Sequence, residues 1–310
     1  MDAKSFLATD HRWSVWDCTS FQEYIDKFMI KGKFHSDVPE VVKNSYEIVE
    51  RLIAYSYFHY SMVEEAISKM TRIFEMAVRI RTKSLDINAY SLSGFLKKLK
   101  DHPDIDPEMA NEWFRLKEIR NFYAHPESNS FSGPMPLQSI FTMLNVVNRL
   151  FCNKLLFVEQ TEMLSNLQVS STRYNDGIFI FEMDDVKRLI TAARPFFLSP
   201  DFKKSIWHLT PVYLNFPQTM DEFNFLLNPI IIRITDLQVK NELVTGKELI
   251  SEALIRIYPT EINGNILAAK SYKEKLGSSD ETVKILHKNN SDYMDYLEEQ
   301  KFIYDEYWNY

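Results

Sequence analysis

The sequence predicts a mainly α-helical protein in two parts: a bundle of four to five helices over residues 1–165, then a mostly helical part with a few short strands over 166–310. Three observations predict it. The runs 41–53 and 57–82 carry apolar residues three and four apart and contain neither glycine nor proline. Asp37-Val38-Pro39-Glu40 and Asp106-Pro107-Glu108 have the order of a helix start, with a capping residue, proline and an early acid. Asn166 to Gly177 (NLQVSSTRYNDG) is a polar break, and short β-branched runs appear only after it.

Taken in order, residues 1–37 form an extension in which Phe21, Tyr24, Ile25 and Phe28 have the spacing of a short helix docked on the core. Val41 to Ile53 and the run from about Tyr57 to Thr82 read as two helices with a tight turn or one kinked helix. Their methionine and aromatic stripe is expected to be core. A short helix follows Ser91-Leu92-Ser93-Gly94, and another carries Trp113, Leu116, Ile119 and Tyr123 to a stop at Pro126. Pro126 to Pro136 reads as a loop, and Leu137 to Leu164 as one long helix. Beyond the break, Ile178–Phe181, Pro229–Ile234 and, more weakly, Leu209–Tyr213 read as strands. Gly246–Ile257, Asn263–Leu276 and Thr282–Tyr307 read as helices.

Composition excludes several function classes. Net charge is −7, divided as −2 over residues 1–168 and −5 over 169–310, so the chain is no general nucleic-acid coat. RNA binding would require a local basic surface. The clearest is residues 72–100, where Lys97, Lys98 and Lys100 stand as candidate phosphate contacts. With 7 glycines there is neither a P-loop nor a GxGxxG run, and Cys18 and Cys152 are too few for a zinc site or disulfide framework. No cofactor and no metal is expected. No apolar run approaches the length of a membrane span, so a soluble, cytoplasmic chain with no membrane contact is expected. His11 and His35 are expected at the surface without a role, His59 as a packed residue, and His208 and His287 as structural.

The chemistry-bearing stretch is Arg120-Asn121-Phe122-Tyr123-Ala124-His125. Arginine suits a phosphate, and histidine suits proton transfer near neutral pH. An arginine followed by asparagine, with histidine at this one offset, is expected about 0.02 times by chance in this composition. In a regular helix Arg120 and His125 project about 140° apart, so either the last turn distorts or a second chain completes the site. Ala124 lies on the Arg120 face and is small enough for another helix to approach, making it the candidate dimer-interface residue.

This motif resembles that of the HEPN family (higher eukaryotes and prokaryotes nucleotide-binding), over roughly residues 38–165. The resemblance implies a helical bundle and a metal-independent endoribonuclease. Arg120 and His125 would be its catalytic pair, Asn121 a positioning residue, and the site would be shared across a homodimer. It also implies a toxin or antiphage defence role. Partners would be RNA, a second copy, and an antitoxin, nucleotidyltransferase or sensor protein. The alternative it carries is a non-catalytic nucleotide-binding or dimerising module.

Overall fold

The computed structural model describes residues 7–105, 109–124, 135–223, 227–240 and 242–308. The chain packs as two compact units, Met1–Leu155 with Gln300–Tyr310, and Leu156–Glu299.

The first unit is helical. After a 3-10 turn at His11–Trp16 come α1 (Phe21–Phe28), α2 (Glu40–Tyr55), α3 (Met62–Ser84), α4 (Leu92–Lys100), α5 (Met109–Ala124) and α6 (Ser139–Phe151). α3 is the centre, packing against α2, α4, α5 and α6. Its 23 residues bury Val63, Ala66, Ile67, Met70, Phe74, Ala77 and Val78, because three- and four-residue spacing brings them onto adjoining faces of one cylinder. α1 is closed at its start by a capping box between Ser20 and Glu23.

The run from Val41 to Ile80 is two helices. Neither glycine nor proline breaks it; tertiary contacts do. The Ser56 carbonyl accepts from Trp13 Nε1 at 2.8 Å, and Tyr24 Oη bonds the Ser56 hydroxyl and donates to the Ile53 carbonyl at 2.8 Å. These buried bonds take up helix-end groups that would otherwise be orphaned.

The long helix expected over Leu137–Leu164 is instead a 3-10 turn at Met135–Gln138, then α6, then α7 (Leu155–Ser170). Cys152 turns extended at ψ 163°, and the Asn153 carboxamide accepts from the Leu155 amide at 3.0 Å to start the next helix. Two buried asparagines make α6 a clasp. Asn148 accepts from the His35 amide at 2.7 Å and donates to the Lys33 carbonyl at 3.0 Å. Asn145 donates to the Gln300 carbonyl at 2.7 Å and accepts from Trp308 Nε1 at 2.8 Å. Each carboxamide satisfies both its donor and its acceptor in a dry setting, where leaving either unmade is costly.

The second unit overturns the mainly α, all-α expectation. Six strands, β1 (Phe179–Met183), β2 (Val186–Leu198), β3 (Lys204–Pro211), β4 (Ile230–Lys240), β5 (Leu243–Glu248) and β6 (Leu254–Pro259), close into an antiparallel barrel. Each strand pairs with the next, and β6 returns to β1 with Phe179 opposite Pro259 and Met183 opposite Ile255. Phe179, Phe181, Trp207, Leu209, Ile232, Ile234, Val244 and Ile257 fill the interior. Closure leaves no unpaired sheet edge.

The correction is sharpest at Gly246–Ile257, expected as a helix and observed as parts of β5 and β6. The intervening turn carries helix-forming Leu, Glu and Ala. It is held by the Glu248 carboxylate, which accepts from the amides of Ile250 at 2.8 Å and Ser251 at 2.6 Å. Gly246 is required: a Cβ there would stand 2.3 Å from Ile234 Cγ2 and 2.7 Å from the Thr235 carbonyl oxygen.

Helices α8 (Asn263–Ser278) and α9 (Glu281–Tyr307) follow. His287, on α9, is half-buried beside the Tyr213 and Phe216 rings, at 6.1 and 5.3 Å between centroids. Burial pushes its pKa below the usual value of 6.5, a bond with the Leu227 backbone partly opposes this, and His208 adds repulsion. The neutral ring is therefore the folded form. Its stability contribution is full above pH 6.5 and is lost as pH falls toward the depressed folded value. Thermal melts should show lower stability on acidification below about pH 6.5, with His287→Phe flattening that slope. An unchanged slope would remove His287 as its source.

Among the described residues, no helix is long and apolar enough to cross a membrane.

Candidate active site

Arg120 and Asn121 sit in the last turn of α5, whose Trp113 and Leu116 are buried and which packs against α3, α4 and α6. The core-facing residues orient the helix, and the half-buried Arg120 leaves at its margin. Its Nη2 donates to Glu75 Oε2 at 3.3 Å, and its Nη1 lies 3.5 Å from Asn121 Oδ1. Glu75 comes from α3 and also receives Arg79, Nη2 to Oε1 at 2.7 Å, one turn along the same helix. Two guanidiniums thus share one carboxylate.

Burial alone would push the Glu75 carboxyl up. The Arg79 hydrogen bond and the charges of Arg120 and Arg79 outweigh it and hold Glu75 below the usual carboxylate range. The cluster keeps a net positive charge. A guanidinium has five N–H donors, so Glu75 occupies one edge of Arg120 and leaves others for a phosphate oxygen. The Arg120 side chain is 38% exposed, which gives a ligand access.

Arg79 also lies 5.4 Å from the Phe95 ring, tying the cluster to α4. Lys97, Lys98 and Lys100 are exposed on the last turn of α4, where the negative end of the helix dipole favours cations whatever else they do. Lys98 is further occupied by the Asn88 carbonyl.

His125 lies outside the described residues, as do the start signal Asp106-Pro107-Glu108, residues 126–134 of the loop expected over Pro126 to Pro136, and the side chain of Ala124. The described structure therefore brings Arg120 together with Asn121, Glu75 and Arg79. In the sequence Glu75 and Arg79 stand only as members of the charged stretch over residues 72–100.

A second polar array stands in the other unit. His208 on β3 bonds Asp295 through Nδ1 and lies 3.3 Å from the Ser291 hydroxyl through Nε2. The order matches a nucleophile, base and orienting acid. Ser291 and Asp295, however, are interior residues of α9, whose backbone N–H groups are committed to the helix, so the amides beside Ser291 are not free to serve as the oxyanion donors that follow a nucleophile at a helix start. The array pins α9 to the barrel, as Arg233 and Glu298 do at 2.5 Å.

Both cysteines are buried, and burial pushes the Cys152 thiol up to about 12 and raises Cys18, so neither is a ready thiolate nucleophile. Among the described residues, no group of three or more His, Cys, Asp or Glu is arranged to hold a metal ion. No family model, curated protein or solved structure matches the chain.

Proposed function

We propose that the protein is a metal-independent endoribonuclease of HEPN type. The observation that carries this reading is the Arg120–Asn121 pair at the end of α5, with the guanidinium steadied by Glu75 but still exposed. His125 would take the proton of a ribose 2′-OH, or supply the one the leaving group needs. The O2′–P bond forms, the P–O5′ bond breaks, and a proton reaches O5′, leaving a 2′,3′-cyclic phosphate. Arg120 would hold a non-bridging oxygen and stabilise charge as it grows on the phosphoryl group. In a cell such an enzyme would act as a toxin or antiphage effector, with a partner or trigger read by the other unit.

The ion pair to Glu75 also supports the second reading, a nucleotide-binding or dimerising module in which Arg120 is structural. Incubation of the full chain with RNA in EDTA separates the two. Cleavage that vanishes in His125→Ala supports the enzyme; intact RNA with retained binding supports the module.

The proposed site is shared across a homodimer through the face carrying Ala124. Arg120→Ala and His125→Ala proteins, each inactive, should regain part of the activity when mixed, since a heterodimer keeps one intact cross-chain pair. No recovery would mean that each chain closes its own site. Ala124→Trp should break the dimer by overlap, as light scattering would show.

Neutralising Lys97, Lys98 and Lys100 together should weaken RNA binding and reduce the log–log salt slope by roughly 0.7 per lost phosphate contact. Unchanged affinity and slope would leave these lysines as helix-end solvation only.

A further inference from the structure

A cavity of about 410 Å³ opens in the helical unit, between the end of α1, the extended segment 29–33, the start of α6 and the last turns of α9. Its size falls in the range of small-ligand pockets. Four aromatic rings line part of it, Trp16, Phe28, Phe141 and Tyr304, beside Met29, Ile30, Leu137 and Gln138. Phe141 and Tyr304 lie 5.1 Å apart, and the Lys33 amide donates to Tyr304 Oη at 3.0 Å, which fixes the wall.

Its rim is basic in a chain of net charge −7: Lys27, Lys31, Lys33 and Lys301 against Asp26 and Asp305. Asp305 is paired with Lys301, while Asp26 accepts from the neutral Gln22 carboxamide at 2.7 Å and keeps its charge, so the rim carries a net charge of +2. Three ammonium groups have no carboxylate partner among the described residues. Lys27 donates to the carbonyls of Trp16 and Asp17 at 2.8 and 3.2 Å, as a cap on the 3-10 turn. Lys33 reaches only the Asp305 carbonyl at 3.4 Å and hangs 5.5 Å from the Tyr304 ring. Lys31 is exposed.

We propose that this cavity binds a nucleotide carrying one or two phosphates, at a site separate from Arg120. Lysines act as point charges, and a rim of net +2 calls for more than one negative charge, which phosphate supplies and a single carboxylate does not. Flat aromatic walls call for a flat ring beside it. Neither half of the ligand alone uses both features.

Titration calorimetry on the full chain tests this with ADP, GDP, CDP and UDP, and with adenosine and ribose 5-phosphate as half-ligands. The diphosphates should bind, and each half-ligand should bind at least about tenfold more weakly. Lys31→Glu, at an exposed position, should weaken ADP by about tenfold with an unchanged melting temperature. Arg120→Ala should bind ADP as wild type does, which separates this site from the proposed ribonuclease centre. No heat at millimolar nucleotide would overturn the proposal. So would adenosine binding as well as ADP, or loss of binding in Arg120→Ala with none in Lys31→Glu. A 5′-phosphorylated tetranucleotide that binds where free diphosphates do not would overturn it in favour of an RNA end.

Discussion

Arg120→Ala is expected to lower RNA cleavage by about 10²–10³-fold, the usual loss when one donor to developing charge is removed. Stability should change little. Glu75 keeps Arg79 at 2.7 Å after the substitution, so no buried carboxylate is stranded, and Arg120 is 38% exposed. A partly exposed ion pair contributes at most about 1 kcal/mol. Circular dichroism and the melting curve should therefore match wild type while activity falls. Arg120→Lys should not restore it, because an ammonium cannot serve Glu75 and a phosphate oxygen along separate edges as a guanidinium does. His125→Ala should abolish cleavage through the other half of the chemistry, proton transfer. The ribonuclease reading fails if either alanine variant cleaves as wild type does. A fall in melting temperature alongside the lost activity would point to Arg120 as a strut between α5 and α3.

The helical unit was legible because its helices obey local rules. α3 needs only its own spacing to be recognised, and α1 is read from Phe21, Tyr24, Ile25 and Phe28. The stops were less visible. Ser56 ends α2 through Trp13 and Tyr24, which lie 43 and 32 residues away in the chain, and nothing at Cys152–Asn153 interrupts the apolar period. In the candidate site the same division holds. Arg120 and Asn121 are adjacent in sequence and were found together, whereas Glu75 lies 45 residues from Arg120 and reaches it only through the packing of α5 on α3.

The barrel was hidden for a different reason. β2 includes the helix-forming stretch Thr191-Ala192-Ala193-Arg194, and its pairing with β3 shifts register near Ala192 and again around Pro195, so inward residues do not alternate evenly along it. β5 and β6 are six residues each, too short for alternation to outweigh the Leu, Glu and Ala between them. What specifies these strands is their neighbours. Ile255 faces Met183 on one side and Gly246 on the other, a relation that no window along the chain contains.

Gly246→Val is expected to be the most disruptive single change in that unit after loss of Trp207. At Gly246 a Cβ would meet Ile234 Cγ2 at 2.3 Å, which a rotamer change could relieve, and the Thr235 carbonyl oxygen at 2.7 Å, which it could not. That oxygen belongs to β4, so relief requires β4 and β5 to part where they pair through Ile234–Glu248 and Thr235–Lys247. Overpacking of this kind costs about 1–3 kcal/mol or more. Trp207→Ala acts in the opposite sense. Trp207 is fully buried in the barrel, with Nε1 donating to Ser205 Oγ at 3.0 Å. Removing it opens a cavity worth about 3–5 kcal/mol and leaves the Ser205 hydroxyl short of a partner. Because the chain has two compact units, one melting midpoint would not isolate the effect. Hydrogen exchange over residues 179–259 does, and protection of the strand amides should fall in both variants. In a closed meander each strand is held by two neighbours, so the loss should appear on all six strands, including the β1–β6 seam. Exchange that quickens only at β4 and β5 in Gly246→Val, with the seam fully protected, would mean that the barrel does not open as one cooperative body.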